Sequence, residues 1–195
     1  MTQPLGFFIF PMAEGFVFDI FDEFYPESDL RKLLLVHSEA VAHKALSIIN
    51  ECHLENRVDV RFVENAAMLH DIGIFKTNAP SILCHGSLPY LCHGVAGKEI
   101  LDNLGLPPEY GLVCERHTGS GITKGEIVTN HLPLPPRDFI PLSLEEKLIC
   151  YADKFFSKSG DPNREKSLPE IRKSMQKFGQ EALDRFDALH SLFQS

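Results

Sequence analysis

Six histidine and aspartate side chains of this sequence are of the types that bind metal ions together. They are His37, His70, Asp71, His93, His117 and Asp153. Apolar residues recur around them at helical spacing, which predicts that the four histidines and Asp153 lie on inward faces of five helices, with Asp71 beside His70. An unpaired buried carboxylate is costly, so an inward aspartate calls for a cation or strong donors. Imidazole and carboxylate ligands suit a divalent transition ion such as Fe, Mn, Co, Ni or Zn.

The set is more informative than any of its members. A single histidine on an apolar stripe is more often a satisfied core residue than a ligand. The other histidines fall on polar or irregular stretches, which predicts surface positions; they are His43, His53, His131 and His190. The five cysteines form no CxxC pair and are odd in number, which favours reduced thiols, most simply small core residues.

The elements that must position these residues are predicted to be helices. The predicted spans are 28–50, 60–72, 91–104, a short helix after Pro107 and Pro108, one from Ser143, and then 168–178 and 180–193. Residues 76–91 are predicted to form a long, functional loop, and 119–143 an irregular connection. We find no strand pattern, so the expected fold class is all-α.

The N-terminal residues 1–27 are interpreted as an extension and a lead-in helix, and 28–195 as one domain. Residues 1–11 are rich in phenylalanine and have two interpretations, a loosely packed extension or an overlong start. The first Lys or Arg is Arg31, and the segment before it contains acidic residues and Pro11. Because this fits neither an export signal nor a membrane span, we expect a soluble, cytoplasmic protein without a membrane partner.

The charge of the chain restricts its partners. The formal net charge is −8, whereas proteins that bind nucleic acid polymers need a positive surface that releases phosphate counterions. A nucleic acid polymer is therefore not expected as a partner. A small phosphorylated molecule, above all a nucleotide, remains compatible with local positive charge, and the sequence leaves a homodimer open.

Two motifs resemble a known superfamily. The run AAMLHDIGIF at 66–75 contains the adjacent His70 and Asp71 in the HDIG form, and Asp153 follows in ICYADKF. With His37 upstream, this order is similar to the H…HD…D metal set of the HD superfamily, over about residues 30–158. The resemblance implies an HD-domain helical bundle of about six to eight helices.

The same resemblance implies a role for each candidate site residue. The ligands of a first metal are implied to be His37, His70, Asp71 and Asp153, with His93 and His117 as auxiliary positions. The phrases HTG and YADK are similar to the branch that hydrolyses diadenosine tetraphosphate symmetrically. Many relatives have two consecutive histidines where this chain has Arg116 and His117, so one ion is the first expectation and two remain open.

The resemblance implies a metal-dependent phosphohydrolase that attacks a phosphoester or phosphoanhydride of a small nucleotide with metal-activated water. Asp71 is expected to bridge the ions if two bind, because its carboxylate has two oxygens. The candidate phosphate contacts are Lys76, Arg116 and, less well placed beside Asp153, Lys154. Two alternatives stay open: hydrolysis of another phosphorylated metabolite, and a non-catalytic metal or nucleotide sensor.

Overall fold

The computed structural model describes residues 14–194, so the hypotheses about residues 1–11 lie outside the described residues. Within that range the chain forms nine α-helices and little strand, which confirms the all-α prediction. The helices are α1 Gly15–Phe24, α2 Asp29–Glu51, α3 Val60–Leu69, α4 His93–Asn103, α5 Pro108–Arg116, α6 Lys124–Thr129, α7 Leu144–Asp153, α8 Leu168–Gln176 and α9 Gln180–Leu192. No described helix is long and apolar enough to cross a membrane.

Side-chain caps set the starts of the two helices that frame the site. Ser28 Oγ accepts a hydrogen bond of 3.2 Å from the backbone N–H of Arg31 at the start of α2. Ser143 Oγ accepts one of 3.1 Å from the N–H of Glu146 at the start of α7. Each bond satisfies one of the backbone donors that a helix leaves unpaired at its N-terminus, so both starts are fixed by the local sequence.

The core lies where α2 packs against α3 and α7. The stripe Leu34, Val41 and Ala45 of α2 is completely buried there, and His37 shares that face. On another side of the core, α1 contributes buried apolar residues and ends next to Tyr25, whose hydroxyl donates a 2.8 Å hydrogen bond to the carbonyl of Ile72. This bond ties α1 to the turn that follows His70 and Asp71.

Helix α6 corrects the prediction of an irregular connection over 119–143. Thr123 Oγ1 accepts a bond of 3.1 Å from the N–H of Glu126, and Glu126 Oε2 accepts one of 2.7 Å from the N–H of Thr123. Burial of Ile127 then fixes the helix against the body of the protein. A helix of 6 residues is too short to produce a periodic signal, which needs a window of about 11 residues or more.

A small sheet corrects the absence of predicted strands and the assignment of 76–91 to a loop without regular structure. Its strands are β1 Thr77–Ala79, β2 Cys84–His85 and β3 Leu88–Pro89, in the order β2-β1-β3. The β1 and β2 strands are antiparallel, whereas β1 and β3 are parallel. Strands of two or three residues show no alternation, so sequence periodicity could not detect them.

Candidate metal centre

The six predicted ligands converge in the core, most of them from the ends of helices. His70 follows the last residue of α3, His93 is the first residue of α4, His117 follows α5, and Asp153 is the last residue of α7. His37 comes from within α2. All six side chains are buried, and they form two groups of potential ligands that have Asp71 in common.

The first donor set consists of His37, His70, Asp71 and Asp153. The Oδ2 atom of Asp71 lies 3.2 Å from His37 Nε2 and 2.9 Å from His70 Nε2. The Oδ1 atom of Asp153 lies 3.1 Å and 3.5 Å from the same two nitrogens. Donors that surround one ion at about 2.1 Å lie about 3.0 Å apart at right angles and about 3.4 Å apart in a tetrahedron. The observed spacing therefore suits a transition ion.

The second donor set consists of Asp71, His93 and His117. The other carboxylate oxygen, Asp71 Oδ1, lies 3.4 Å from Nε2 of each histidine. The two Nε2 atoms are 3.1 Å apart. Each oxygen of Asp71 thus faces a different donor set, so Asp71 would be the shared ligand if each set held an ion.

Backbone carbonyls orient three of the histidine rings. His70 Nδ1 lies 2.6 Å from the carbonyl oxygen of Ala67. His93 Nδ1 lies 2.7 Å from that of Tyr90, and His117 Nδ1 lies 2.7 Å from that of Cys114. A carbonyl accepts only, so each Nδ1 carries a proton, and Nε2 is the nitrogen left to face the donor set. This is the usual second interaction of a metal-binding histidine.

The residues fit a divalent metal. Asp71 Oδ1 and the Nε2 atoms of His37 and His70 are buried without a hydrogen-bond partner among the described residues, whereas Asp71 Oδ2 lies 2.5 Å from Lys158 Nζ. Buried polar atoms are almost always satisfied, so three orphaned atoms around one carboxylate need an explanation. An ion held by nitrogen and oxygen ligands supplies it.

The comparison with known families decides the classification. The HD domain family matches residues 34–157. The chain belongs to the HD domain family. This assigns it to a superfamily of metal-dependent phosphohydrolases.

Similar proteins match parts of this HD protein. An uncharacterized protein of Methanocaldococcus jannaschii is 42% identical over 119 residues, which are 61% of this chain and 61% of that protein. The tRNA (cytidine(56)-2'-O)-methyltransferase of Picrophilus torridus is 38% identical over 99 residues, 51% of this chain and 25% of the enzyme. The enzyme of that name from Thermoplasma volcanium is 30% identical over 158 residues, 80% of this chain and 40% of the enzyme.

The matched segments therefore span less than two thirds of each of these relatives. No solved structure matches the HD protein.

A cavity of about 730 Å³ opens onto the metal centre of the HD protein. His93, His117 and Asp153 belong to its lining. Lys154, the weakest of the predicted phosphate contacts, also lines it; its Nζ lies 2.7 Å from Asp153 Oδ2 and donates to the carbonyl of His117 at 3.0 Å. Three of the six candidate ligands thus line this cavity, which gives a ligand access to both donor sets.

The structure does not bring Lys76 and Arg116 to the cavity. Lys76 Nζ lies 3.5 Å from Glu99, and Arg116 donates two hydrogen bonds, of 3.2 and 3.0 Å, to Glu146. Neither residue belongs to the lining of the cavity. Arg116 directly precedes His117, and because adjacent helical positions diverge, the inward direction of His117 turns Arg116 away.

Two residues that sequence reasoning missed lie at the site. Lys158 Nζ is 2.5 Å from Asp71 Oδ2, and the ring of Tyr90 stacks on His93 with centroids 4.7 Å apart. Lys158 follows α7 in a segment without periodicity, and Tyr90 lies just before α4 in the misread loop. Nothing in a single sequence indicates where such non-helical segments turn, so no signal pointed to either residue.

The surrounding charges and burial give the histidines of the two donor sets different pKa values. Burial alone lowers the pKa of His70, but the negative charges of Asp71 and Asp153 outweigh it and raise that pKa to about 9. Burial lowers the pKa of His93 to about 3, with Asp71 opposing. Burial raises the pKa of Asp71, but the positive charges of His70 and Lys158 hold it well below its usual range. Without metal, His70 is thus protonated at neutral pH and His93 is neutral.

Metal affinity is expected to rise with pH between about 7 and 9. A metal ion binds neutral imidazole, so it must displace the proton that His70 holds below its pKa of about 9. Each pH unit in this window should strengthen binding by up to about tenfold, because one proton is released. Titrations with a fluorescent metal competitor at several pH values measure the slope. A flat profile from pH 7 to 9 would contradict the charge assigned to His70.

Replacing Gly73 with alanine is expected to damage the metal centre. A Cβ atom at Gly73 would overlap the carbonyl of His93 and the backbone N–H of Gly97 in α4. Relieving this overlap must shift α4 and with it His93. We expect this to lower the free energy of unfolding by about 1–3 kcal/mol. Urea unfolding and metal analysis measure both effects. The matched control is Gly125→Ala in α6, whose nearest neighbour is Thr123 Oγ1 at 3.7 Å; equal losses in both variants would contradict the packing argument.

Proposed function

We propose that this HD protein hydrolyses a phosphoester or phosphoanhydride bond of a small nucleotide in a divalent-metal-dependent reaction. The observation that carries the proposal is the shared position of Asp71: its two oxygens face two donor sets, and His93, His117 and Asp153 of those sets line one cavity. Bound ions would lower the pKa of a coordinated water and polarise a phosphoryl oxygen. The proposed class is a phosphoric monoester, diester or anhydride hydrolase.

The chain's own residues prepare the site for a phosphate group. His37, His70 and Asp153 hold one side of the centre rigidly, because their side chains are buried in the core. Lys154 and Lys158 place ammonium groups beside the carboxylates at the cavity floor, where they neutralise an incoming phosphate. We assign this role to them rather than to Lys76 and Arg116, which are paired with glutamates elsewhere.

The cavity suits the base and sugar of a nucleotide as well as its phosphate. Its volume of about 730 Å³ falls within the roughly 300–1,000 Å³ of typical small-ligand sites. Apolar side chains line one part of it, among them Leu91, Ile122, Met175 and Phe178. Such an apolar surface would pack against the face of a nucleotide base, and the lysines would bind the phosphate. A nucleotide therefore matches both the apolar and the positively charged parts of the lining.

The relatives named tRNA methyltransferases suggest tRNA as a second candidate ligand. Each is matched over at most 40% of its own length, and we propose that the methyl transfer in their names belongs to the unmatched part. The formal charge of −8 opposes the release of counterions from a polynucleotide. We therefore favour a mononucleotide or dinucleotide that enters the cavity.

The test is a screen of nucleoside mono-, di- and triphosphates and dinucleoside polyphosphates for hydrolysis, with chelator-treated protein and with Mn²⁺ restored. Hydrolysis of at least one nucleotide only when Mn²⁺ is present is the expected result. Binding of both Mn²⁺ and nucleotide without turnover would replace the proposal with a non-catalytic sensor. Hydrolysis of phosphorylated sugars alone would keep the metal chemistry and overturn the nucleotide assignment.

A further inference from the structure

The cavity concentrates positive charge in an acidic protein. The whole chain has 19 lysines and arginines against 27 aspartates and glutamates. Among the described residues that line the cavity the balance is reversed, with five cations against two carboxylates. The five are Lys154, Lys158, Lys166, Lys177 and Arg185. Such a reversal within one concave surface is what an anionic ligand with more than one charge requires.

Not all of these cations are available to a ligand. Arg185 donates to both carboxylate oxygens of Glu126, at 2.7 and 2.9 Å, and is neutralised by it. Lys154 and Lys158 contact Asp153 and Asp71, the carboxylates of the metal centre. They therefore lie where the phosphate that is cleaved would be bound.

Lys166 is different because its charge is not compensated. Its backbone N–H donates a 2.7 Å hydrogen bond to the carbonyl of Phe155, which fixes the residue beside the end of α7. Its side chain is half-buried in the cavity wall, and within residues 14–194 its Nζ forms no ion pair. Burial and then the positive charges of Lys154 and Lys158 lower its pKa, against the opposing charges of Asp153 and Glu170. A lysine held near two others is stabilised when an anion lies among them.

We propose that Lys166 binds a second phosphate group, next to the phosphate held beside Lys154 and Lys158, so that the substrate carries at least two phosphates in a row. This inference rests on the proposed function, because the first phosphate is the one placed at the metal centre. Lys158 and Lys166 lie beyond residue 157, where the HD family match ends, whereas Lys154 lies within the matched segment.

The test compares the binding of AMP with that of its non-hydrolysable diphosphate analogue, α,β-methylene-ADP, by calorimetry on the full Mn²⁺-loaded chain. The two probes differ by one phosphonate-linked phosphate and neither binding measurement needs turnover. We expect the diphosphate analogue to bind at least about tenfold more tightly, the size of one charge-assisted hydrogen bond. Equal affinities in the unmodified protein would overturn the inference without any variant.

Three variants assign the preference to Lys166. Lys166→Met should abolish it, and Lys166→Arg, which keeps the charge, should retain most of it. The matched control is Lys173→Met, because Lys173 is exposed on α8 and does not line the cavity. A full preference in Lys166→Met, or an equal loss in Lys173→Met, would overturn the role of Lys166.

The outcome also separates this inference from the proposed function. A diphosphate preference without hydrolysis of any nucleotide would leave the second phosphate site in place and refute the hydrolase. Hydrolysis of nucleoside monophosphates with no diphosphate preference would refute the second phosphate site and leave the hydrolase in place.

Discussion

Replacing Asp71 with asparagine is expected to remove bound metal and to lower nucleotide hydrolysis by at least about a hundredfold. Mutating a residue that only supports a metal ligand already lowers metal affinity or activity roughly 10- to 100-fold. Asp71 contributes an oxygen to both donor sets, so its loss should cost more. The amide replaces a charged oxygen with a donor that repels a cation. Metal content by elemental analysis and phosphate release measure the two effects.

The Asp71→Asn variant should nevertheless keep its fold, because the amide has nearly the shape of the carboxylate. Its helical circular dichroism is expected to match that of the unmodified protein. The control is Asp19→Asn on α1, where the carboxylate is exposed. Normal hydrolysis by metal-free Asp71→Asn would refute the metal centre, and equal damage from Asp19→Asn would show that the loss is unspecific.

The second large effect is expected from truncating the histidines one donor set at a time. His93→Ala removes a ligand of the second set only, whereas His37→Ala removes a ligand of the first. We expect His93→Ala and His117→Ala to retain the more tightly bound ion and still lose about a hundredfold in turnover. His37→Ala should lose that ion as well, because the first set supplies four ligands and the second three.

Metal content per chain beside the hydrolysis rate distinguishes these variants. Complete loss of metal from His93→Ala, with His37→Ala unaffected, would show that the tighter site is the second one. Metal content equal to that of the unmodified protein in all three variants would show that these histidines are not ligands.

The sequence predicted the helical framework because long amphipathic segments carry their own signal. In α2, the buried stripe around His37 repeats at helical spacing over 23 residues. The predicted spans placed His70 and His93 inside helices 60–72 and 91–104, whereas in the structure His70 follows the end of α3 and His93 begins α4. The structure places all six proposed ligands together, but the sequence alone could not give the spacing of their donor atoms.

The parts that the sequence did not predict depend on tertiary contacts. Lys158 reaches Asp71 because the segment after α7 turns back over the site, and Lys166 follows in the same segment. Lys76 and Arg116 were reasonable phosphate contacts by proximity in sequence, yet their nearest partners are Glu99 and Glu146. Charge pairing between distant segments decides such positions, and no local pattern encodes it.

We propose that the two donor sets sharing Asp71 form one divalent metal centre for hydrolysis. The most direct test of this claim is a titration of chelator-treated protein with Mn²⁺, with phosphate release from a hydrolysed nucleotide recorded against Mn²⁺ per chain. We predict no release without metal and a rate that rises until about two equivalents are bound, one for each donor set. A rate that is independent of added Mn²⁺, in protein verified to be metal-free, would contradict the claim.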